Sequence, residues 1–223
     1  MKGMRRQFLL GAVAIGLGLA LVSVAGADVI TLHTKTFLDI MGPSCQELQG
    51  LSTVMDNGNV RATVLSVAYT DGSGRYAYLY QVLNTGVTGN SPIEQFTIWP
   101  FRGADDSVDM GYLTGMLPLE FPDAPGQVPE PTGYVDVLST GPLVSFYYNL
   151  RAGSAIAVGN RSVVMYVMSN LEPNAVVTGN VIDGSVGSGP VIGPVPEPAT
   201  LVLLGLGGLG LVFRWRRKRL AAR

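Results

Sequence analysis

The chain has 223 residues, of which 47% are hydrophobic and 14% charged, with 29 Gly and 14 Pro; this suits one folded body with appendages and excludes a disordered polyampholyte or a coiled coil. The formal charge of −1 hides an asymmetry, because Asp28 to Val195 holds six Lys and Arg against fifteen Asp and Glu while both ends are basic. Such an acidic body lacks the positive surface that phosphate-backbone binding needs, so nucleic acid is not an expected partner, and one Cys and one His remove most disulfide, zinc and triad chemistry.

Residues 1–27 read as a secretory signal peptide. Lys2, Arg5 and Arg6 form the basic region, an apolar stretch runs from Phe8 to about Val24, and Ala25-Gly26-Ala27 is an A-x-A cleavage site. The mature chain then starts at Asp28. An uncleaved N-terminal anchor is the alternative, since the apolar stretch is nearly long enough to span. Arg5-Arg6 alone does not make a twin-arginine signal.

From residue 28 to 183 the pattern predicts an all-β body, an antiparallel β-sandwich of the Ig-like or jelly-roll-like kind. Val60 to Tyr69 and Tyr76 to Leu83 flank Asp71-Gly72-Ser73-Gly74, a hairpin signal. In the second strand Tyr76, Tyr78, Tyr80 and Val82 share one face and Ala77, Leu79 and Leu83 the other, which marks a central strand covered on both faces. Further strands are predicted over Glu94 to Trp99, Gly133 to Leu138, Leu143 to Leu150, Ser154 to Val158, Ser162 to Met168 and Ala175 to Ile182. Turns are expected at Asn57-Gly58, Thr140-Gly141-Pro142 and Gly159-Asn160.

Chemistry-bearing residues are sparse in this body. Asp105, Asp106 and Asp109, with Asp123 nearby, are weak candidates for oxygen ligands to Ca²⁺, but the EF-hand spacing is absent and an acidic solvated loop is the simpler reading, so no metal is expected. Paired carboxylates could serve a glycosidase, yet the necessary separation is a spatial property that spacing does not reveal. Trp99, Phe101, Tyr112, Tyr134, Tyr147 and Tyr148 could stack on sugar rings or fill the core, and core packing is the stronger expectation. His33 has no second His beside which to bind a metal. Cys45 has no internal disulfide partner, and a Cys–His nucleophile pair would need the two brought together. Gly205-Leu-Gly-Gly-Leu-Gly210 formally matches G-x-G-x-x-G, but no strand precedes it.

Residues 184–195 are rich in Gly, Ser, Pro and Val, and this composition predicts a tether: flexible over Gly184 to Gly189, stiffer beyond. After it, Ala199 to Phe213 is uncharged, and Arg214, Arg216, Arg217, Lys218 and Arg219 follow. Fifteen helical residues give about 22 Å, short of a hydrocarbon core of about 30 Å unless Trp215 and snorkelling Arg side chains extend it. The basic cluster acts as a stop-transfer signal and belongs on the cytoplasmic side, leaving everything before Pro198 outside.

Directly before this predicted transmembrane helix stands Val195-Pro196-Glu197-Pro198. The order Val-Pro-Glu-Pro-Ala-Thr, Gly-rich apolar helix and terminal Arg cluster resembles the PEP-CTERM sorting signal of exported bacterial proteins. That resemblance, covering residues 196–223 and the Val before them, implies recognition of Pro196, Glu197 and Pro198 by a membrane-embedded exosortase, with the helix as anchor and the Arg cluster as stop signal. Two prolines flanking Glu197 fix φ and hold the main chain extended, as an enzyme gripping a peptide at the membrane requires. An internal Val128-Pro129-Glu130-Pro131 lacks the helix and basic cluster, so the tripeptide alone carries little. Tyr78 to Asn84, Ile93 to Ile98 and Ile156 to Ser162 also look like recurrent body segments of exported PEP-CTERM proteins.

The sequence thus predicts an exported, membrane-anchored, non-enzymatic sandwich without a cofactor, sorted to the envelope or extracellular matrix. Its expected partners are an exosortase-type enzyme and membrane lipid, with exopolysaccharide as a further candidate. The rivals are an exported carbohydrate-binding or carbohydrate-active module, and a single-pass anchored protein that is never processed.

Overall fold

The computed structural model describes residues 28–87, 91–104, 108–121, 132–138, 141–148, 155–173 and 175–194. Twelve strands within them form two six-stranded sheets. The first has the order β1 (Asp28–Ile30), β8 (Thr132–Leu138), β9 (Gly141–Tyr147), β6 (Gln95–Trp99), β11 (Ala175–Ile182), β12 (Val186–Gly193). The second has the order β2 (His33–Lys35), β7 (Met110–Leu113), β10 (Met165–Ser169), β5 (Tyr76–Asn84), β4 (Arg61–Thr70), β3 (Gln46–Asp56). Pairing is antiparallel except between β2 and β7, which run parallel; the expected all-antiparallel sandwich is corrected at that one edge.

The two faces of β5 account for the layering. Tyr78, Tyr80 and Val82 point between the sheets and are fully buried with Phe96, Ile98, Phe146 and Val167. Burying an aromatic or branched side chain contributes about 1.5–3 kcal/mol, so this inter-sheet layer dominates the stability. Tyr78 meets Phe101 edge-on at 5.3 Å. Ala77 and Leu79 point the other way, into a second cluster with Ile40, Met41, Phe121 and Tyr166. That outer face is roofed by a five-residue helix, α1 (Phe37–Met41), and by the chain that follows β7. The helix was not expected, although its start is written locally. Asp39 N donates to Thr36 Oγ1 and Thr36 N to Asp39 Oδ2, a reciprocal capping box.

Strand β4 pairs with β5 through the turn between Thr70 and Tyr76 as expected, and Gly58 and Gly159 take positive φ at two expected turns. Elsewhere boundaries move. Of the stretch Ser154 to Val158, the described residues 155–158 contribute only the bridge of Ile156 to Ile93, β9 already begins at Gly141, where a turn was expected, and β10 starts at Met165.

The largest correction concerns the expected tether over residues 184–195. Residues Val186–Gly193 are the edge strand β12, paired along its whole length with β11, and Val191 and Ile192 are fully buried. Its glycines serve close approach, not flexibility. A Cβ on Gly189 would lie 2.7 Å from Thr53 Cγ2, and one on Gly179 of β11 2.7 Å from Val191 Cγ1. Glycine here lets the edge of one sheet lie against β3 of the other. Thr53 Oγ1 then donates to the Pro190 carbonyl at 2.7 Å, Tyr80 OH to the Ile192 carbonyl at 2.6 Å, and Ile192 N to Ser66 Oγ at 3.2 Å.

Among the described residues no helix is long and apolar enough to cross a membrane. The predicted signal peptide with Ala25 and Ala27, and the predicted helix over 199–213, lie outside them, as do Val195 to Pro198 and the basic cluster Arg214, Arg216, Arg217, Lys218 and Arg219.

Candidate functional site

The last described residue is Pro194, buried just beyond the end of β12. The sequence-predicted sorting element therefore begins one residue after the packed body. Covalent geometry keeps Glu197 within about 11 Å of Pro194.

Among the described residues, several polar side chains are tied into the fold. Asp109 holds Lys35 Nζ at 2.7 Å through Oδ2 and accepts Tyr166 OH at 3.1 Å through Oδ1, and burial, followed by the Asp109 charge, pushes the Tyr166 phenol up. Its carboxylate thus ties β2 to β10 across β7, while Asp105, Asp106 and Asp123 lie outside the described residues. No group of three or more His, Cys, Asp or Glu able to hold a metal occurs among the described residues. Phe101, Tyr112 and Tyr148 are buried and Trp99 and Tyr147 half-buried, as core packing requires; the side chain of Tyr134 is not described. His33 is exposed on β2, and Cys45, a free thiol, precedes β3. Those strands are opposite edges of one six-stranded sheet, about 24 Å apart at the usual strand spacing, so the two do not form a nucleophile pair.

The segments that looked like family body segments meet each other. Ile93 and Ile156 exchange both backbone hydrogen bonds, Asn84 Nδ2 donates to the Ile156 carbonyl at 2.9 Å, and Val82 N donates to Ser162 Oγ at 3.0 Å. This is a structural tie: the buried Asn and Ser replace missing ladder bonds where the chain leaves the sheet.

Two surface features escaped the sequence reading. The first is a carboxyl pair over the outer cluster. Tyr69 OH donates to Glu120 Oε2 at 2.6 Å, which holds the Glu120 carboxyl below the usual range. Burial and then the neighbouring Glu120 push Glu47 up. The second is an open apolar groove of about 440 Å³ between Thr36, Phe37 and Leu38 of the α1 end and Met116 to Leu119. Leu38, Met116 and Leu119 are 64%, 91% and 99% exposed. No acid or base lines it, so it can bind apolar groups but offers no reacting side chain. The Thr36-x-x-Asp39 box marks one wall in the sequence; the other depends on where the chain after β7 returns.

With this geometry established, the family model described as the PEP-CTERM protein-sorting motif matches residues 194–218. The match takes in Val195 to Pro198, the apolar stretch and the basic residues up to Lys218, beginning where β12 ends. No curated protein and no solved structure matches the chain. Residues 194–218 thus carry a PEP-CTERM protein-sorting motif, a signal that points to an exported protein sorted to the envelope. The tail carries that assignment, and the sandwich accompanies it.

Proposed function

We propose that this protein is a non-catalytic envelope component, a β-sandwich whose role is structural or binding, delivered by its C-terminal tail. Export removes residues 1–27 after Ala27. The stretch 199–213 then anchors the precursor, Arg214 to Arg219 stay cytoplasmic, and an exosortase-type enzyme reads Pro196-Glu197-Pro198 and releases or transfers the body. The observation that carries this reading is the tripartite tail matched at 194–218, set directly after the last strand of the body.

The non-catalytic assignment is supported by the commitments of the side chains. Asp109 is engaged by Lys35 and Tyr166, and Phe101, Tyr112 and Tyr148 are inside. A carbohydrate-active module would instead need acids and exposed rings gathered in one groove, whereas the groove beside α1 is apolar. Intact-mass analysis of the protein from its own host, wild type beside Glu197→Ala, tests the processing. Wild type ending between Pro196 and Thr200, with the variant retaining Arg223, is the expected result. Both proteins retaining Arg223 would make the tail a permanent anchor.

A further inference from the structure

Five successive antiparallel pairings link β1 to β12 across the first sheet. An odd number of reversals makes β1 and β12 antiparallel to each other, so the start of β1 at Asp28 and the end of β12 at Gly193 lie at the same end of the sandwich. They stand about 24 Å apart, on opposite edges. The second sheet fixes which loops share that end. Going along β12 from Gly187 to Ile192, the facing groups pass from Met55 and Val60 to Thr53 and then Ser66. That direction is the one in which β4 runs toward Thr70, so the turn Asp71–Gly74 projects beyond the exit point. Tyr78 OH donates to the Leu171 carbonyl and Tyr76 OH to Glu172, which brings the segment before β11 to the same end.

From these placements we infer that the end of the sandwich bearing the Asp71–Gly74 turn and Glu172 faces the membrane in the anchored precursor, held there because β12 runs into the sorting tail with no tether. The inference rests on the proposed anchoring by 199–213. From Pro194 to Ala199 the main chain spans at most about 18 Å, less than the length of β12 itself, about 23 Å from Val186 to Gly193. The body therefore cannot turn its far end, with Val186 and the Asn57–Gly58 turn, toward the lipid while β12 stays paired. The near end carries Asp71, Arg75 and Glu172, and Arg75 and Glu172 are exposed, so it stands against headgroups and does not insert. The occupant of this surface is the lipid headgroup layer, and the same end is the one an intramembrane enzyme meets.

Energy transfer from a thiol-linked donor to acceptor-labelled headgroups tests the orientation. The full mature chain carries Cys45→Ser and either Ser73→Cys or Val186→Cys, and is reconstituted into phosphatidylcholine vesicles. Transfer from the Ser73→Cys label is expected to be at least twofold more efficient than from the Val186→Cys label, and twelve Gly/Ser residues inserted after Pro194 should largely abolish the difference. Co-flotation with equal transfer, or with greater transfer from position 186, overturns the orientation alone. A difference that survives the insertion overturns the short connection as its cause. Failure of the chain to float with the vesicles overturns the anchoring and the orientation with it.

Discussion

Changing Tyr80 to Phe removes one oxygen from the molecule and tests whether residues 186–193 are a strand or a tether. The ring is fully buried between the sheets and the Phe ring can occupy the same space. What goes is the 2.6 Å hydrogen bond to the carbonyl of Ile192, a residue that is itself fully buried. An orphaned buried carbonyl costs about 1–3 kcal/mol, and a domain of this size loses about 2–4 °C in Tm per kcal/mol; a fall of about 5 °C is expected. Thermal and urea unfolding of residues 28–194 would follow Trp99, since the second tryptophan, Trp215, lies in the tail. Urea m should be unchanged, because the same surface is exposed on unfolding. Ser66→Ala orphans the N–H of the same residue and should cost a similar amount, with the double variant departing from additivity because both bonds hold one residue. If Tyr80→Phe were neutral within about 0.5 kcal/mol, the hydroxyl would be meeting water and the packing of β12 against the second sheet would be refuted.

Gly111→Ala should unseat β2, because the new Cβ would collide with the His33 carbonyl on the parallel neighbour; a loss of about 1–3 kcal/mol and accelerated hydrogen exchange at Thr34 and Lys35 are expected. Glu47→Gln should act with pH. Glu47 holds its proton more tightly in the folded state than in the unfolded chain, so its contribution is present at low pH and lost as pH rises through its folded value. The variant should therefore exceed wild type at pH 7 by a few tenths of a kcal/mol after solvent screening, with the gain vanishing in acid; paired Tm measurements at the two pH values check this. An equal gain at both pH values would rule out the ionisation of Glu47, penalised by burial and then by Glu120, as its origin.

The β4–β5 hairpin was legible because two long alternating runs flank a turn with two glycines, and in β5 from Tyr76 to Leu83 both sets of alternating residues are apolar except for Gln81. Strand β12 was illegible for the opposite reason. Glycine signals flexibility when only its own chain is considered, and its need at residue 189 comes from Thr53, far away in the sequence. In β3 the first half, Gln46 to Gly50, is mostly polar and exposed, with even Leu48 outward, and is interrupted by a register shift between Glu47 and Gln49, so no alternation announces it. Strands β1 and β2 have three residues each, too few to carry a period. The sorting tail was readable because its three parts act in linear order along the chain. The groove beside α1 was not, since its walls come from segments nearly eighty residues apart.

At the corner where β12 meets β3, the edge strand turns some of its backbone away from β11. Pro190 has no N–H to offer there and its carbonyl takes the Thr53 hydroxyl, while Ile192 gives its N–H to Ser66 and its carbonyl to Tyr80. In an envelope component of the kind proposed, copies of the chain would meet one another, and a bare strand edge would invite sheet-to-sheet joining between them. Along residues 190–192 the template for such joining is already occupied from within. Self-association through that corner is thereby disfavoured, and a partner engaging the body there would have to recognise side chains instead of adding a strand.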